Sequence, residues 1–550
     1  MVINLYKFVF LFLIILNLNA KPILYEPIEY KLDDSKSLSI NKRIEGSHLN
    51  VFIPFMPYAY IFRLINGTLT RLNGSNQGWE YFYATKHIKI DDLTYDFELR
   101  KNALFQDASP FNADTVVENF DYFLKNPLTY TDIDKRLVSV EKINKYRIRF
   151  NLSKPYPMLL NDLARIGLYT SSYLKEYGLN DGSTLSNTKK FGLYGLGPYI
   201  LESGLALGKE QSSFIELRYN PNFYESDKPY IETMKIYTKL PSKEVIHMST
   251  KEEGSLDIAI IPFNKKVEVL TSKYAKLVIR PTRNSYSIQL NLLKQDSILQ
   301  DKKIRLALNQ VINQKKLIKF VYKNEGVYSP FPISSNISSV KNVVKDYASK
   351  EYFTQSELFE ILNGISLNIL TQDLFLELWQ GIEFQLEKYN VKINYEITSD
   401  EKEVFNKLLT NRKSNNNWDM LIWGNTDWYG NHPWSLFMLL KSTNSWSAIT
   451  DKELDKKLDE FVALEFNTKE FNNKVKEILT YSLEQAYMLS VPSPNSVMAI
   501  NKEVDFEPSS SGILELWNAK VTPYHWSIRK DKYPEERYNS ILPIRYELEN

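Results

Sequence analysis

Between Trp418 and Leu436 the chain reads WDMLIWGNTDWYGNHPWSL, which sets Trp423, Asp427, Trp428, Tyr429 and His432 side by side with Trp418 and Trp434. Aromatic rings give large contact area for little rotamer entropy, and an acid and an imidazole among them supply the few polar groups that orient a ligand in a mostly apolar pocket. The stretch is therefore expected to form a ligand-facing wall, with core packing as the competing reading for each ring. His432 offers one neutral nitrogen as a possible metal ligand. The other histidines, His48, His87, His247 and His525, show no metal-ligand spacing, so a protein-built metal cage is not expected.

The elements that would position this loop follow from periodicity. Met420–Trp423 is an apolar run that predicts a buried strand, broken by Gly424-Asn425 and Gly430-Asn431. Ile365 to Leu370 predicts a strand, Leu374, Leu378, Ile382 and Leu386 a helix face, and Val391 to Ile397 a second strand. A crossover of that length predicts a parallel, right-handed unit, with the Met420–Trp423 strand in the same sheet and its loop at the carboxyl end, where such sheets bind ligands. Upstream, Tyr95 to Arg100 alternates as a half-buried strand, and Asn112 is placed to cap a helix carrying Val116, Val117, Phe120, Phe123 and Leu124. Gly195 and Gly197 before Pro198 predict a turn with a positive backbone angle. Ile304, Leu308, Val311, Ile312, Leu317 and Phe320 predict one helix over Asp301 to Phe320.

Composition bounds the function. A chain of 550 residues is too long for one core and predicts two or three lobes. Lys+Arg 68 against Asp+Glu 66 leaves a net charge of +2 with no basic block, so no nucleic acid is expected as a partner. Lys7 followed by the apolar run Phe8 to Leu16 and a small residue, Ala20, has the parts of a secretory signal over residues 1–20, too short to span a bilayer. With zero cysteines there is no disulfide and no lipid-bearing cysteine, so the expectation is a soluble periplasmic monomer starting near Lys21. No His-Glu-x-x-His, Gly-x-Ser-x-Gly or phosphate-binding loop occurs, and the carboxylate pairs Asp91-Asp92 and Asp451 with Glu453 read as solvated charge. Neither an enzyme nor a cofactor is expected.

Five stretches in order carry a resemblance. They are Tyr95-x-Phe-x-Leu-Arg100 with Phe105-x-Asp107 and Pro110-Phe-x-Ala-Asp114; Tyr194-Gly-Leu-Gly-Pro-Tyr199; Leu217 to Tyr224 with Lys228-Pro-Tyr-Ile231; Glu253-Gly-Ser-Leu-Asp-Ile258; and Asp301 to Ile318. Together they resemble the bacterial extracellular solute-binding proteins of the peptide and nickel class, family five. The resemblance implies an α/β fold of the type II periplasmic-binding kind, with two lobes, a hinge between them and an inserted smaller domain. It implies lobe one over residues 21–75, 191–280 and 496–550, the inserted domain over 76–190 and lobe two over 281–495. Pro281 and Ser490 to Pro494 read as the crossings, because linkers collect Pro and Ser. Residues 527–550 have no assignment.

The implied function is the substrate-binding component of an ABC importer, holding a nickel chelate or a short peptide and handing it to an inner-membrane permease. A chaperone or sensor on the same fold is the other class. In the nickel branch an arginine matching Arg165 clamps carboxylates of the metal-carrying molecule, and Trp428 lies near the place of a ligand-stacking tryptophan, in a loop where Tyr-Gly-Asn-His-Pro departs from that branch's Gly-Ala-Pro-Tyr-Asp-Pro-His. A guanidinium fork suits a chelator carboxylate or a peptide terminus equally. In the peptide branches an aspartate in the loop matching Asp427 takes the ligand's ammonium, although here one extra residue separates it from Trp423.

Overall fold

The computed structural model describes residues 38–547 apart from 55–56, 74–77, 128–130, 178–191, 205–211, 330–331, 338–339, 342, 344–350, 399–403, 405–416, 425–431, 445 and 467. The apolar N-terminal run, with the expected signal and the start near Lys21, lies outside the described residues. The chain is mixed α/β and builds two lobes and a smaller inserted domain, each on its own sheet.

Lobe one is an eight-stranded sheet whose strands run, edge to edge, Ile544–Arg545, Ala275–Arg280, Ser496–Asn501, Ile258–Ile260, Ile44–Phe52, Ile231–Tyr237, Phe214–Tyr219 and Tyr199–Ser203. Ile44–Phe52 runs parallel to both its neighbours, whereas Ser496–Asn501 is antiparallel to both of its own. Ile44–Phe52 is central to the sheet, and its second half, Leu49 to Phe52, is buried throughout. Leu49, Val51, Ile236, Ile258, Val278 and Ile500 are fully buried in one cluster.

Lobe two is a five-stranded sheet in the order Lys392–Thr398, Ser366–Gln372, Met420–Gly424, Tyr286–Leu290 and Met488–Leu489. The predicted strand-helix-strand unit is present: Ser366–Gln372 pairs in parallel with Lys392–Thr398, and the helix Leu376–Leu386 connects them. Trp379 fixes that helix to the sheet, its ring buried and its Nε1–H donated to Thr371 Oγ1 at 3.0 Å. Met420–Gly424 joins on the other side, parallel to Ser366–Gln372 and antiparallel to Tyr286–Leu290.

The inserted domain is a four-stranded antiparallel sheet, Ala84–Lys89, Thr94–Leu99, Arg147–Leu152 and Leu137–Asn144, with the helix Ala113–Lys125 packed on it. Asn112 caps that helix as its position predicts, accepting from the N–H groups of Asp114 and Thr115 while Thr115 Oγ1 accepts from the Asn112 N–H. Asp96, fully buried, receives Arg147 at 2.6 Å and Arg149 at 2.7 Å from the next strand. The chain passes from lobe one to lobe two through residues 281–285 and returns through 490–495, so two short segments link the lobes.

Three expectations need correction. Gly195 and Gly197 are not among the glycines with positive φ; what they provide is room, since a Cβ would stand 2.1 Å from Ile65 O and 2.4 Å from Leu64 O respectively. The predicted helix over Asp301 to Phe320 is two, Lys302–Val311 and Gln314–Phe320. Asn313 interrupts it, its side chain accepting from Lys316 N–H at 3.0 Å while its own N–H turns to Gln385 Oε1 at 2.7 Å. Asp451 is a helix cap rather than solvated charge, for it accepts from the N–H groups of Glu453 and Leu454 and from the hydroxyls of Tyr481 and Tyr487.

Candidate functional site

Arg165 lies on a short turn, Leu163–Arg165, at the end of the segment that leaves the inserted domain. Leu163–Arg165 follows directly on the single helical turn Leu159–Asp162. This segment is where all three parts of the molecule meet. Ala164 packs with Leu72 and Ile513 of lobe one, and Thr70 Oγ1 donates to Leu160 O at 2.5 Å. Tyr156 sets its ring edge-on to Trp434 of lobe two, centroids 6.1 Å apart, while its hydroxyl donates to the buried Asp162 carboxylate. Asp162 also accepts the Asp132 N–H at 3.3 Å, so the turn is anchored from both ends. Arg165 itself is 8% exposed, a guanidinium held out of bulk water at the junction of the lobes.

A second cation comes from the crossing segment. Arg283 is also buried, its N–H donating to Ser510 O at 2.8 Å, and its positive charge acts on the His432 imidazole. Tyr60 and the Ser509–Ile513 loop form the lobe-one rim beside it, with Asn284 pressed against Gly512, where φ is +78 and a Cβ would stand 2.3 Å from Asn284 Oδ1. Arg165 in the inserted domain and Arg283 on the crossing segment are both buried, and a guanidinium is chemically matched to a carboxylate.

Of the six residues singled out from the sequence, Asp427, Trp428 and Tyr429 lie outside the described residues, as does the side chain of Trp423. Trp418 and Trp434, the outer rings of the stretch, are core. His432 is buried, its ring 4.2 Å from that of Phe466 and 5.6 Å from Phe471, and its Nδ1 accepts the Trp434 N–H at 3.1 Å. Burial, reinforced by the Arg283 charge, drives its pKa down to about 3. The imidazole is therefore neutral, with one nitrogen already committed. The other four histidines have hydrogen-bond partners: Thr233 and Asn50 for His48, Tyr81 for His87, Glu252 for His247, and Asp257 for His525. Among the described residues no three His, Asp or Glu side chains group as a metal site, and no helix is long and apolar enough to cross a membrane. Tyr156 and Arg283 were not singled out as site residues; the only signals were the Pro-Tyr-Pro turn and the proline two residues before Arg283.

The buried histidine has a measurable consequence. Its folded pKa lies below the ordinary value of an unfolded chain, so the unfolded state takes up a proton first and stability falls as pH drops below about 6.5, until the folded pKa is reached. The expected cost is roughly 1.4 kcal/mol per pH unit in that window. His432→Asn keeps an acceptor for the Trp434 N–H and removes the titration, so denaturation at pH 7 and pH 5 should show a smaller acid loss in the variant. Equal losses would contradict a neutral buried His432.

Two lobes on separate sheets, joined by two crossing segments and carrying an inserted domain, define the architecture. The chain belongs to the bacterial extracellular solute-binding proteins, family 5, whose model for the middle region matches residues 80–447. Members of this family are solute-binding proteins of the periplasm or cell exterior rather than enzymes. The dipeptide-binding protein of Escherichia coli (strain K12) is 26% identical over 307 residues, covering 51% of this chain and 53% of that protein. The chain spans about half the length of the curated relatives it matches. Among solved structures, the periplasmic binding protein DppA from Helicobacter pylori in complex with the peptide STSA superposes with a TM-score of 0.71 at 17% identity, over 88% of this chain and 99% of that one. NikA from Staphylococcus aureus in complex with Ni(L-His)2 gives 0.68 at 16% identity, over 86% and 100%. At such identities the likeness establishes the fold.

Proposed function

We propose that this chain is the periplasmic substrate-binding component of an ABC importer, a monomer that holds a nickel chelate or a short peptide between its lobes and delivers it to a permease in the inner membrane. The observation that carries the reading is the burial of Arg165 at the meeting point of both lobes and the inserted domain, with Arg283 on the crossing segment. The mechanism is hinge closure: a ligand that touches both lobes binds the closed arrangement better and shifts the population toward it. The proposed division is lobe one over residues 21–75, 191–280 and 496–550, the inserted domain over 76–190 and lobe two over 281–495. Arg165 would clamp a ligand carboxylate, Trp428, Trp423 and Tyr429 would supply stacking area, and Asp427 would meet an ammonium where the ligand has one. His432, neutral and packed on Phe466, supports the wall of the cleft from behind rather than from its surface.

Calorimetric titration with short peptides and with nickel plus L-histidine tests this. One of the two classes should bind the wild type, and Trp428→Phe should erase most of the accompanying change in tryptophan fluorescence. Binding of neither class, or turnover of the peptides, would refute the proposal.

A further inference from the structure

Residues 527–547, part of the stretch with no assignment from sequence, form a strap along lobe one, and Arg545 on it reaches the other lobe. Its course is marked by acids. Asp257 accepts Trp526 Nε1–H at 2.9 Å and faces His525 Nε2 at 3.2 Å. Glu253 receives Arg529 at 2.6 Å, and Glu503 receives Tyr533 and Arg537, each at 2.6 Å. The chain then adds the strand Ile544–Arg545 to the edge of the lobe-one sheet, parallel to Val278 and Ile279, with Tyr546 N–H on Ile279 O at 2.9 Å and the Tyr546 ring beneath the Arg280 guanidinium.

From this edge Arg545 reaches Glu325, giving Nη2 to Oε1 at 2.8 Å and Nη1 to Oε2 at 3.1 Å. Glu325 belongs to lobe two: it follows Tyr322, which is buried in the lobe-two core, and its carboxylate is almost wholly enclosed. Lys266 of lobe one approaches the same carboxylate from the other side at 2.7 Å and also donates to Lys323 O. Asn495, on the returning crossing segment, donates its backbone N–H to Glu325 O at 3.0 Å, and Gly326–Val327 pairs with Ser493–Pro494. One buried carboxylate of lobe two therefore carries two cations of lobe one beside the hinge. Burial alone would push its carboxyl up, and Arg545 with Lys266 more than reverse this. Breaking such a group costs far more than an exposed pair, because the remaining charge is left desolvated. In the same structure the inserted domain touches lobe two, with Tyr156 against Trp434 and Lys89 3.0 Å from Glu465.

We propose that Arg545, Glu325 and Lys266 are a clasp behind the hinge, through which the C-terminal strap biases the two lobes toward the closed arrangement. The proposal rests on the hinge-closure reading above. It does not depend on the ligand's identity, because the clasp lies away from the Arg165 turn and acts on the protein alone.

The chain has no cysteine, so Lys125→Cys in the inserted domain and Lys456→Cys in lobe two can be spin-labelled as the only pair and their distance distribution measured without ligand. Arg545→Ala, and separately a chain ending at Leu542, should shift that distribution to longer distances. Whichever of nickel-histidine or a short peptide binds the wild type should bind these variants on the order of tenfold more weakly, a usual size for a coupling between sites. Arg545→Lys, which keeps the charge, should recover part of the shift. An unchanged distribution in Arg545→Ala would overturn the clasp even if its melting temperature fell, since the strap would then stabilise lobe one only. If the distribution shifts while neither ligand class binds the wild type, the clasp stands and the transport reading fails.

Discussion

Arg165→Ala is expected to weaken binding by roughly 2 to 5 kcal/mol, the loss typical when one member of a desolvated charge pair is removed and the other stays buried. Nickel with histidine is expected to bind the wild type, to weaken sharply in Arg165→Ala and to change little in Asp427→Asn, because a metal held by a carboxylate-bearing chelator brings no ammonium that must meet an acid. Arg165→Lys should recover only part of the loss, since an ammonium replaces a two-pronged fork with a point charge. Calorimetry on the four proteins separates the cases. Should short peptides bind instead, with Asp427→Asn the damaging change, the nickel reading falls and the peptide reading stands. Should Arg165→Ala bind as the wild type does, the buried guanidinium is structural and the cleft lies elsewhere.

Glu503→Ala is expected to be the most destabilising of the changes considered away from the cleft. The Glu503 side chain is 2% exposed and gathers Arg537 through both nitrogens, at 2.6 and 2.8 Å, the Tyr533 hydroxyl at 2.6 Å and the Thr522 hydroxyl at 2.5 Å. Burial favours the neutral acid, but these donors hold its carboxyl below the ordinary range. Removing the acid strands Arg537 and two hydroxyls together, a cost of about 3 to 5 kcal/mol for lobe one. Urea denaturation should show the loss, and hydrogen exchange should show amides of residues 533–547 opening first. A loss below about 1 kcal/mol would mean that the strap holds by packing alone, as exposed ion pairs do.

What could be read from sequence was what the chain specifies locally. The Asn112 cap is set by atoms within three residues of it, and the strand-helix-strand unit of lobe two is set by a period of two giving way to 3.6. The break at Asn313 rests on Gln385, 72 residues away, which the local apolar spacing does not show. The site was legible only in part. Arg165 stood out through a resemblance, whereas nothing near His432 in sequence shows that Phe466 and Phe471 will close over it. Residues 527–547 look like a polar tail because the acids that hold Arg529, Tyr533, Arg537 and Arg545 stand far away in the chain, at Glu253, Glu503 and Glu325. A pattern search along the sequence has no access to such pairs.

The strand order of lobe one also constrains the order in which the molecule can be made. Lobe two is one uninterrupted run between Tyr286 and Leu489, so all five of its strands are available before the return crossing exists. Lobe one has no such independence. The strand Ala275–Arg280 is joined to the rest of its sheet only through Ser496–Asn501, and its other neighbour, Ile544–Arg545, comes almost at the end of the chain. Until those late residues arrive, Ile258–Ile260 presents an unpaired edge, the kind of surface on which strands of other molecules pair. A growing or refolding chain is thus a finished lobe two attached to an open lobe one, until Ser496–Asn501 and Ile544–Arg545 complete the sheet.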